Sequence, residues 1–307
     1  MTSTNEQQNM IINATTLKPD ADIKYQKPKI NKSGGKSVGI LNSSSGKSLY
    51  LSTPLMLTWG VNEFIDESSG RKSYNMSLQF PRDDFRSDAT DKFLAAMEAF
   101  QAKLKADAIT YSKDWLNKGK MSPEVIDALF HPMLTYPKDP ETKEPDMTRS
   151  PSLRVKLDYW DEKFSCEVYD LKQKMLFPDD ESDHMPMDLI SKGSNVAVII
   201  RCGGLWFANG KFGCTWKLVQ AVIKPKASLM GRCLITLSTD ETAKMEDQKD
   251  DSDDDDDAAA VTVADDSDDD ADDAVADDVI EAANEPPPVP EAKKIVKKKV
   301  VRKKKSA

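Results

Sequence analysis

The sequence lacks any long run of apolar residues. No stretch approaches the ~18 consecutive apolar residues that a membrane-spanning helix needs. The segment 1–10 is polar, and it has neither the basic start nor the apolar core of a secretory signal peptide. We therefore expect a protein that does not associate with membranes and that works inside a cell.

Residues for catalysis or metal binding are also scarce. The two histidines, His131 and His184, both lie beside prolines, and no CxxC or HxxxH spacing occurs. Gly46-Lys47-Ser48 ends like a phosphate-binding loop, but Leu41 stands where that loop needs its first glycine. We predict no enzyme activity, no metal site and no cofactor. The four cysteines are predicted to be reduced thiols: Cys166, Cys202, Cys214 and Cys233.

Charge is divided very unevenly along the chain. Residues 240–285 contain 22 Asp and Glu but only 2 Lys, whereas residues 286–307 contain 9 Lys and Arg and 1 Glu. Since the whole chain carries −9, residues 1–239 are left with +3. Aspartate-rich segments with almost no aromatics cannot form a core. The sequence therefore predicts a disordered acidic tail over 240–285, then a proline hinge and basic C-terminal block over 286–307.

The remaining chain predicts a polar, flexible N-terminal arm over 1–35 and one folded domain over 36–239. Residues 73–80 alternate apolar and polar side chains, which is typical of a half-buried strand. An apolar stripe from Phe93 to Trp115, with steps of three and four, predicts a helix inside a helical insertion over 87–131. Without βαβ alternation, the pattern favours a closed or sandwiched antiparallel sheet. The predicted strands are 38–41, 49–59, 73–80, 153–159, 163–169, 196–207, 211–223 and 232–238.

The clearest local signal is Asn209-Gly210 between two apolar runs, which predicts a two-residue hairpin turn. In that register Phe207 pairs with Phe212 and Leu205 with Cys214. Continued without a bulge, the pairing sets Gly203 opposite Trp216 and Arg201 opposite Leu218 on a face that points into the core. It also places Cys202 and Cys214 on opposite faces. The other face of the hairpin then presents Trp206, Lys211 and Lys217.

An exposed indole among lysines suits single-stranded nucleic acid, because cations attract phosphates and flat rings stack on unpaired bases. Packing in the core is the alternative for each tryptophan, since most tryptophans are largely buried. Lys224 and Lys226 flank Pro225 where the hairpin ends. The predicted nucleic-acid-binding residues are Trp206, Lys211, Lys217, Arg201, Lys224 and Lys226, and the resemblance described next adds Trp216.

The segment 205–220, LWFANGKFGCTWKLVQ, resembles the late β-hairpin of the OB-fold single-stranded DNA-binding proteins of nucleocytoplasmic large DNA viruses. That family is similar to the helix-destabilising protein of short-tailed phages. The resemblance covers roughly residues 37–238. It implies a mainly β fold with a helical insertion (α+β), namely an OB-like antiparallel barrel. It also implies coating of single-stranded DNA in viral replication, recombination and repair, in the host nucleus or a cytoplasmic viral factory. The resemblance further implies that Trp206, Lys211, Trp216 and Lys217 lie in the region that shapes the binding cleft.

The tail admits several interpretations. It is a solubilising spacer, or a competitor that occupies the cationic cleft and recruits basic partners or replication proteins such as a polymerase or a helicase-primase. The phage tails end in an aromatic residue, whereas this chain ends in a basic block, so that terminal contact is not transferred. Two other functions stay open: an acidic-tailed chaperone of basic proteins, and a structural virion protein. The sequence also leaves open whether the protein is a homodimer.

Overall fold

The computed structural model describes residues 10–30, 35–67, 69–179, 184–225 and 235–247. The helices there are α1 (Pro19–Asp22), α2 (Asp88–Thr110), α3 (Ser112–Leu116), α4 (Pro123–Leu129), α5 (Pro186–Leu189) and α6 (Thr239–Glu246), with 3-10 turns at Ala14–Thr16 and Asp83–Phe85. The strands are β1 (Ile11–Asn13), β2 (Ile23–Tyr25), β3 (Lys29–Ile30), β4 (Lys36–Val38), β5 (Ile40–Asn42), β6 (Tyr50–Ser52), β7 (Met56–Ile65), β8 (Lys72–Gln79), β9 (Phe130–His131), β10 (Leu134–Thr135), β11 (Ser152–Leu157), β12 (Tyr159–Trp160), β13 (Lys163–Phe164), β14 (Glu167–Tyr169), β15 (Met175–Phe177), β16 (Ser194–Ala208) and β17 (Lys211–Ile223).

Five of these strands close into a ring. β7 pairs with β8, β8 with β11, and β16 with both β17 and β7, all antiparallel, while β11 and β17 are parallel. In chain order the ring runs first, second, third, fifth, fourth, which is the five-stranded Greek-key barrel of an OB-fold. The predicted mainly β fold with a helical insertion is confirmed, but the sheet is mixed rather than wholly antiparallel.

Alternation along the strands and one long helix build the core. On β8 the side chains of Tyr74, Met76 and Leu78 are buried, as the sequence pattern predicts for a strand with one face inward. Ser87 caps α2 through its hydroxyl, which accepts a hydrogen bond from the Thr90 backbone N–H. The buried stripe of α2 packs on the barrel, where the Phe100 ring lies 5.4 Å from the ring of Trp216.

The N-terminal segment is not the flexible arm that the sequence predicts for 1–35, at least over residues 10–30. Ile11–Asn13 adds a parallel strand beside β6, and Ile23–Tyr25 pairs with β5. Tyr25 then ties this segment to α2, because its hydroxyl donates a hydrogen bond to the Asp107 carboxylate at 2.6 Å. Short apolar pairs such as Ile11-Ile12 find partners only through tertiary contacts, which local composition does not reveal.

At the other end, the predicted strand over 232–238 is absent from its described part, since residues 235–238 form no strand. The first residues of the predicted disordered tail form α6, which Ser238 caps. The remainder of the tail and the basic block lie outside the described residues. Within the described ranges, no helix has the length and apolarity to cross a membrane. Over the same residues, no group of three His, Cys, Asp or Glu side chains is placed to hold a metal ion.

Candidate nucleic-acid interface

Two irregularities in the β16–β17 hairpin enclose a short stretch that is out of the predicted register. From the Asn209-Gly210 turn to the Leu205–Cys214 pair, the pairing is the predicted one. Beyond the bulge at Gly203-Gly204 three pairs are shifted by one residue, namely Cys202–Trp216, Arg201–Lys217 and Ile200–Leu218, and a second irregularity between Ile199 and Ile200 then restores the predicted register. Gly204 has φ +86°, and a Cβ there would lie 2.6 Å from the carbonyl oxygen of Val38. The pairing predicted for Gly203 and Trp216 is therefore wrong.

The shift reverses the faces of two residues. Arg201 pairs with Lys217 instead of Leu218, which turns its side chain away from the core. Cys202 moves to the face of Cys214, and the two sulfur atoms lie 3.4 Å apart with both thiols reduced and buried. The predictions that Arg201 points inward and that the two cysteines lie on opposite faces are both wrong.

Neither tryptophan of the hairpin is exposed. Trp206 is 6% exposed, and its ring lies 5.6 Å from that of His131, because β9 pairs with the start of β17 and covers this side. Trp216 is completely buried, and its indole N–H donates to the sulfur of Met133 at 3.1 Å. The predicted exposure of Trp206 is therefore wrong, and these two rings stabilise the fold.

The predicted lysines do not lie together on one part of the surface. Lys211 is exposed at the hairpin turn, and Lys224 is exposed just after β17. They lie six and seven residues from Lys217 along the chain, so at ~3.3 Å per residue each is roughly 20 Å away from it. Lys226 lies outside the described residues. Among the predicted cations that the structure describes, Arg201 and Lys217 are the pair that lie side by side on adjacent strands.

A polar and cationic row crosses the outer face of the barrel. Pairing brings Arg201 beside Lys217, Lys217 beside Lys156, and Lys156 beside Asn75. The residues next to this row along each strand, such as Trp216, Val155 and Met76, are completely buried. Since alternate residues of a strand point to opposite faces, the row lies on the outer side of the sheet, where Lys156 is only 6% exposed and the other members are partly or fully exposed. We call it the outer row, and its members are Arg201, Lys217, Lys156, Asn75 and Asn62.

Exposed aromatic rings lie beside this row on β7. β7 has a bulge between Thr58 and Val61, across from Ser77, where Gly60 has φ +91° and the Trp59 side chain is 50% exposed. Ser77 in turn pairs with Arg154 on β11. On the other side of the row, Phe64 is 37% exposed. The outer face thus combines flat rings with cations.

One carboxylate holds two of these cations in place. Asp158 follows β11, and its two oxygens accept hydrogen bonds from the Arg201 guanidinium at 3.1 Å and the Lys217 ammonium at 2.6 Å. At Gly203 a Cβ would lie 3.1 Å from the Thr215 carbonyl oxygen and at an ordinary contact distance of 3.5 Å from Lys217 Cε. Around Asp158 the row carries more positive than negative charge, so the face attracts anions.

Sequence reasoning missed Arg154, Lys156, Trp59 and Phe64. Two signals were present: the polar positions of 73–80, and the alternation of Arg154 and Lys156 with apolar residues in a predicted strand. What the sequence did not provide was the adjacency of β8, β11 and β17, which places these positions on one surface.

No protein-family model matches the sequence, and no curated protein matches it. Among solved structures, a single-stranded DNA-binding protein from bacteriophage Enc34 in complex with single-stranded DNA is similar with 11% identity and a TM-score of 0.37, covering 67% of this chain and 98% of that chain. A second structure of the Enc34 protein has 13% identity, a TM-score of 0.35 and coverages of 73% and 99%. The gp2.5 single-stranded DNA-binding protein of bacteriophage T7 has 13% identity, a TM-score of 0.35 and coverages of 61% and 98%.

Proposed function

We propose that the outer face of the barrel binds single-stranded DNA without sequence preference and without catalysis. The observation that carries this proposal is the outer row of cations and amides between two exposed rings, on the face of the second and third barrel strands. In OB-folds this face is the one that binds oligonucleotides. The biological role we infer is coating of single strands in replication, recombination and repair of a viral genome.

The chemistry of the face fits unpaired bases better than a duplex. Arg154, Lys217 and Arg201, which are all partly exposed, can contact phosphates along a path over three strands. A base that stacks on Trp59 or Phe64 contributes ~1–3 kcal/mol, and every base has a suitable π-face. A duplex hides those faces. The proposal therefore predicts both a preference for single strands and tolerance of sequence.

The earlier site prediction is revised accordingly. Arg201 and Lys217 remain phosphate ligands in this proposal, and Lys211, Lys224 and Lys226 are retained as contacts for a longer strand. Trp206 and Trp216 are replaced by Trp59 and Phe64 as the stacking residues. We further infer that the acidic tail modulates binding and recruits replication proteins.

Binding of a fluorescently labelled oligothymidylate, followed by anisotropy at several salt concentrations, tests the proposal. Each phosphate contact should contribute ~0.7 to the slope of log affinity against log salt. We expect Lys217→Gln and Arg154→Gln each to weaken binding and to reduce that slope by ~0.7. Lys92→Gln is the control, because Lys92 forms an exposed ion pair with Asp88 on α2, outside this face.

The same titrations with duplex DNA, RNA and a basic protein separate the alternatives. Preference for a single strand supports the proposal, and the RNA arm reports the choice of sugar. The 22 acidic residues of 240–285 favour the second candidate, a chaperone of basic proteins. Binding to the basic protein alone would establish that function instead, and absence of all binding would leave the structural virion protein.

A further inference from the structure

A short hairpin extends the outer face beyond Asp158. β12 and β13 form two pairs, Tyr159 with Phe164 and Trp160 with Lys163. The two turn residues, Asp161 and Glu162, have φ of 51° and 59°, as a two-residue turn of type I′ requires. The backbone N–H of Ser165 donates to the carbonyl of Asp158 at 2.9 Å, so the hairpin continues directly from the cation site.

One face of this hairpin is anchored to the barrel. The rings of Tyr159 and Phe164 lie 4.8 Å apart, and they lie 4.8 Å and 4.7 Å from the ring of Tyr74. The hydroxyl of Tyr74 donates to Glu63 on β7 at 2.6 Å, which fixes the ring they pack on. The edge-to-face geometry is favourable for aromatic rings. The hairpin is therefore held in one orientation.

The other face carries Trp160 and Lys163 into solvent. Leu157 is buried, Asp158 turns outward to Arg201 and Lys217, and Tyr159 turns back to the barrel. By the same alternation Trp160 returns to the side of Asp158, about 7 Å further along the chain. Its side chain is 53% exposed, and Lys163 opposite it is exposed as well.

We propose that Trp160 and Lys163 form a further stacking position for single-stranded DNA, in addition to Trp59 and Phe64. A base would lie on the Trp160 indole while its phosphates contact Lys163 and the Arg201–Lys217 pair. With Trp59 at the opposite side of the outer row, the strand then has a ring at each end of the cationic path. This inference rests on the proposed function and adds a defined subsite to it.

Tryptophan fluorescence can distinguish stacking on Trp160 from stacking on Trp59. The chain has five tryptophans, and three of them are buried: Trp115, Trp206 and Trp216. Stacking on bases quenches indole emission, so quenching by oligothymidylate should come from Trp59 and Trp160 alone. We expect the single variant Trp160→Phe to lose one part of the quenching and the single variant Trp59→Phe to lose the other part. The double variant should show almost no quenching. Trp115→Phe, which changes a ring 3% exposed, is the control and should leave the quenching unchanged.

Affinity and footprint give an independent measure. Trp160→Ala should weaken binding about tenfold and shorten the occluded length by about one nucleotide, and Lys163→Gln should lower the salt slope by ~0.7. If oligothymidylate quenches the emission of Trp160→Phe as strongly as that of the wild type, and Trp59→Phe abolishes the quenching, the hairpin subsite is refuted. DNA binding by the barrel face is then still supported. If the wild-type protein neither binds nor is quenched, the proposed function itself is refuted.

Discussion

Asp158 occupies a position that a DNA phosphate would have to enter. Its carboxylate already accepts hydrogen bonds from Arg201 and Lys217, and its side chain is 23% exposed. A phosphate that contacts both cations must therefore displace this carboxylate or share the donors with it. At the same time the carboxylate keeps two long side chains in one place, which reduces the entropy that binding would otherwise lose.

Competition with the phosphate weakens DNA binding, whereas positioning of the two cations strengthens it. We expect the competition to dominate at low salt, where electrostatic interactions are strongest. We predict that Asp158→Asn strengthens oligothymidylate binding severalfold and steepens its salt dependence, because the variant removes a competing anion next to two phosphate ligands. Asp127→Asn is a charge-matched control, since Asp127 pairs with Lys105 on the helical side of the molecule. Weaker binding by Asp158→Asn in the anisotropy titration would mean instead that Asp158 acts by positioning Arg201 and Lys217.

Among the elements, the β16–β17 hairpin shows what the sequence could and could not predict. Asn209-Gly210 determines the turn and the first pairs, because few residues tolerate the positive φ values there. The bulge at Gly203-Gly204 was not predictable in this way, since glycine is compatible with a regular strand and with a bulge. The packing of Val38 against Gly204 decides between them, and that contact joins residues far apart in the sequence.

The same dependence on contacts between distant parts of the chain explains why the candidate site was predicted only in part. Alternation over 73–80 correctly predicted which side chains of β8 are buried, as Met76 shows. It could not show that Asn75 stands beside Lys156 or that Trp206 is covered by His131, because both contacts depend on the order of strands around the barrel.

If the bulge sets the register, replacing Gly204 should be costly. We predict that Gly204→Ala destabilises the protein by more than ~2 kcal/mol, because it adds a contact of 2.6 Å with the Val38 carbonyl to the strain of a positive φ. Gly210→Ala is the matched control, with φ +76° and no atom within 4 Å of the added Cβ, and should cost only about 1 kcal/mol. Urea unfolding followed by circular dichroism measures both values, and equal losses would contradict a role for the Val38 contact.

At the scale of the whole molecule, charge is separated between a cationic domain and an anionic tail. The outer row belongs to a region that carries +3, while 240–285 carries −20 and 286–307 carries +8. The only part of this tail that the structure describes, α6, has every residue exposed. Under the proposed function, a polyanion tethered to the domain would compete with DNA for the same cations at a high local concentration, and the basic block would partly neutralise it.

This arrangement predicts opposite effects for two truncations. Ending the chain after Ser238 removes both blocks and should raise the affinity for oligothymidylate at low salt. Removing residues 286–307 alone leaves the acidic run without its counter-charge and should lower the affinity below that of the full chain. Both differences should shrink as salt increases, because screening weakens a competition between exposed charges more than it weakens stacking on Trp59. Equal affinities for all three chains at low salt would show that the tail is only a spacer.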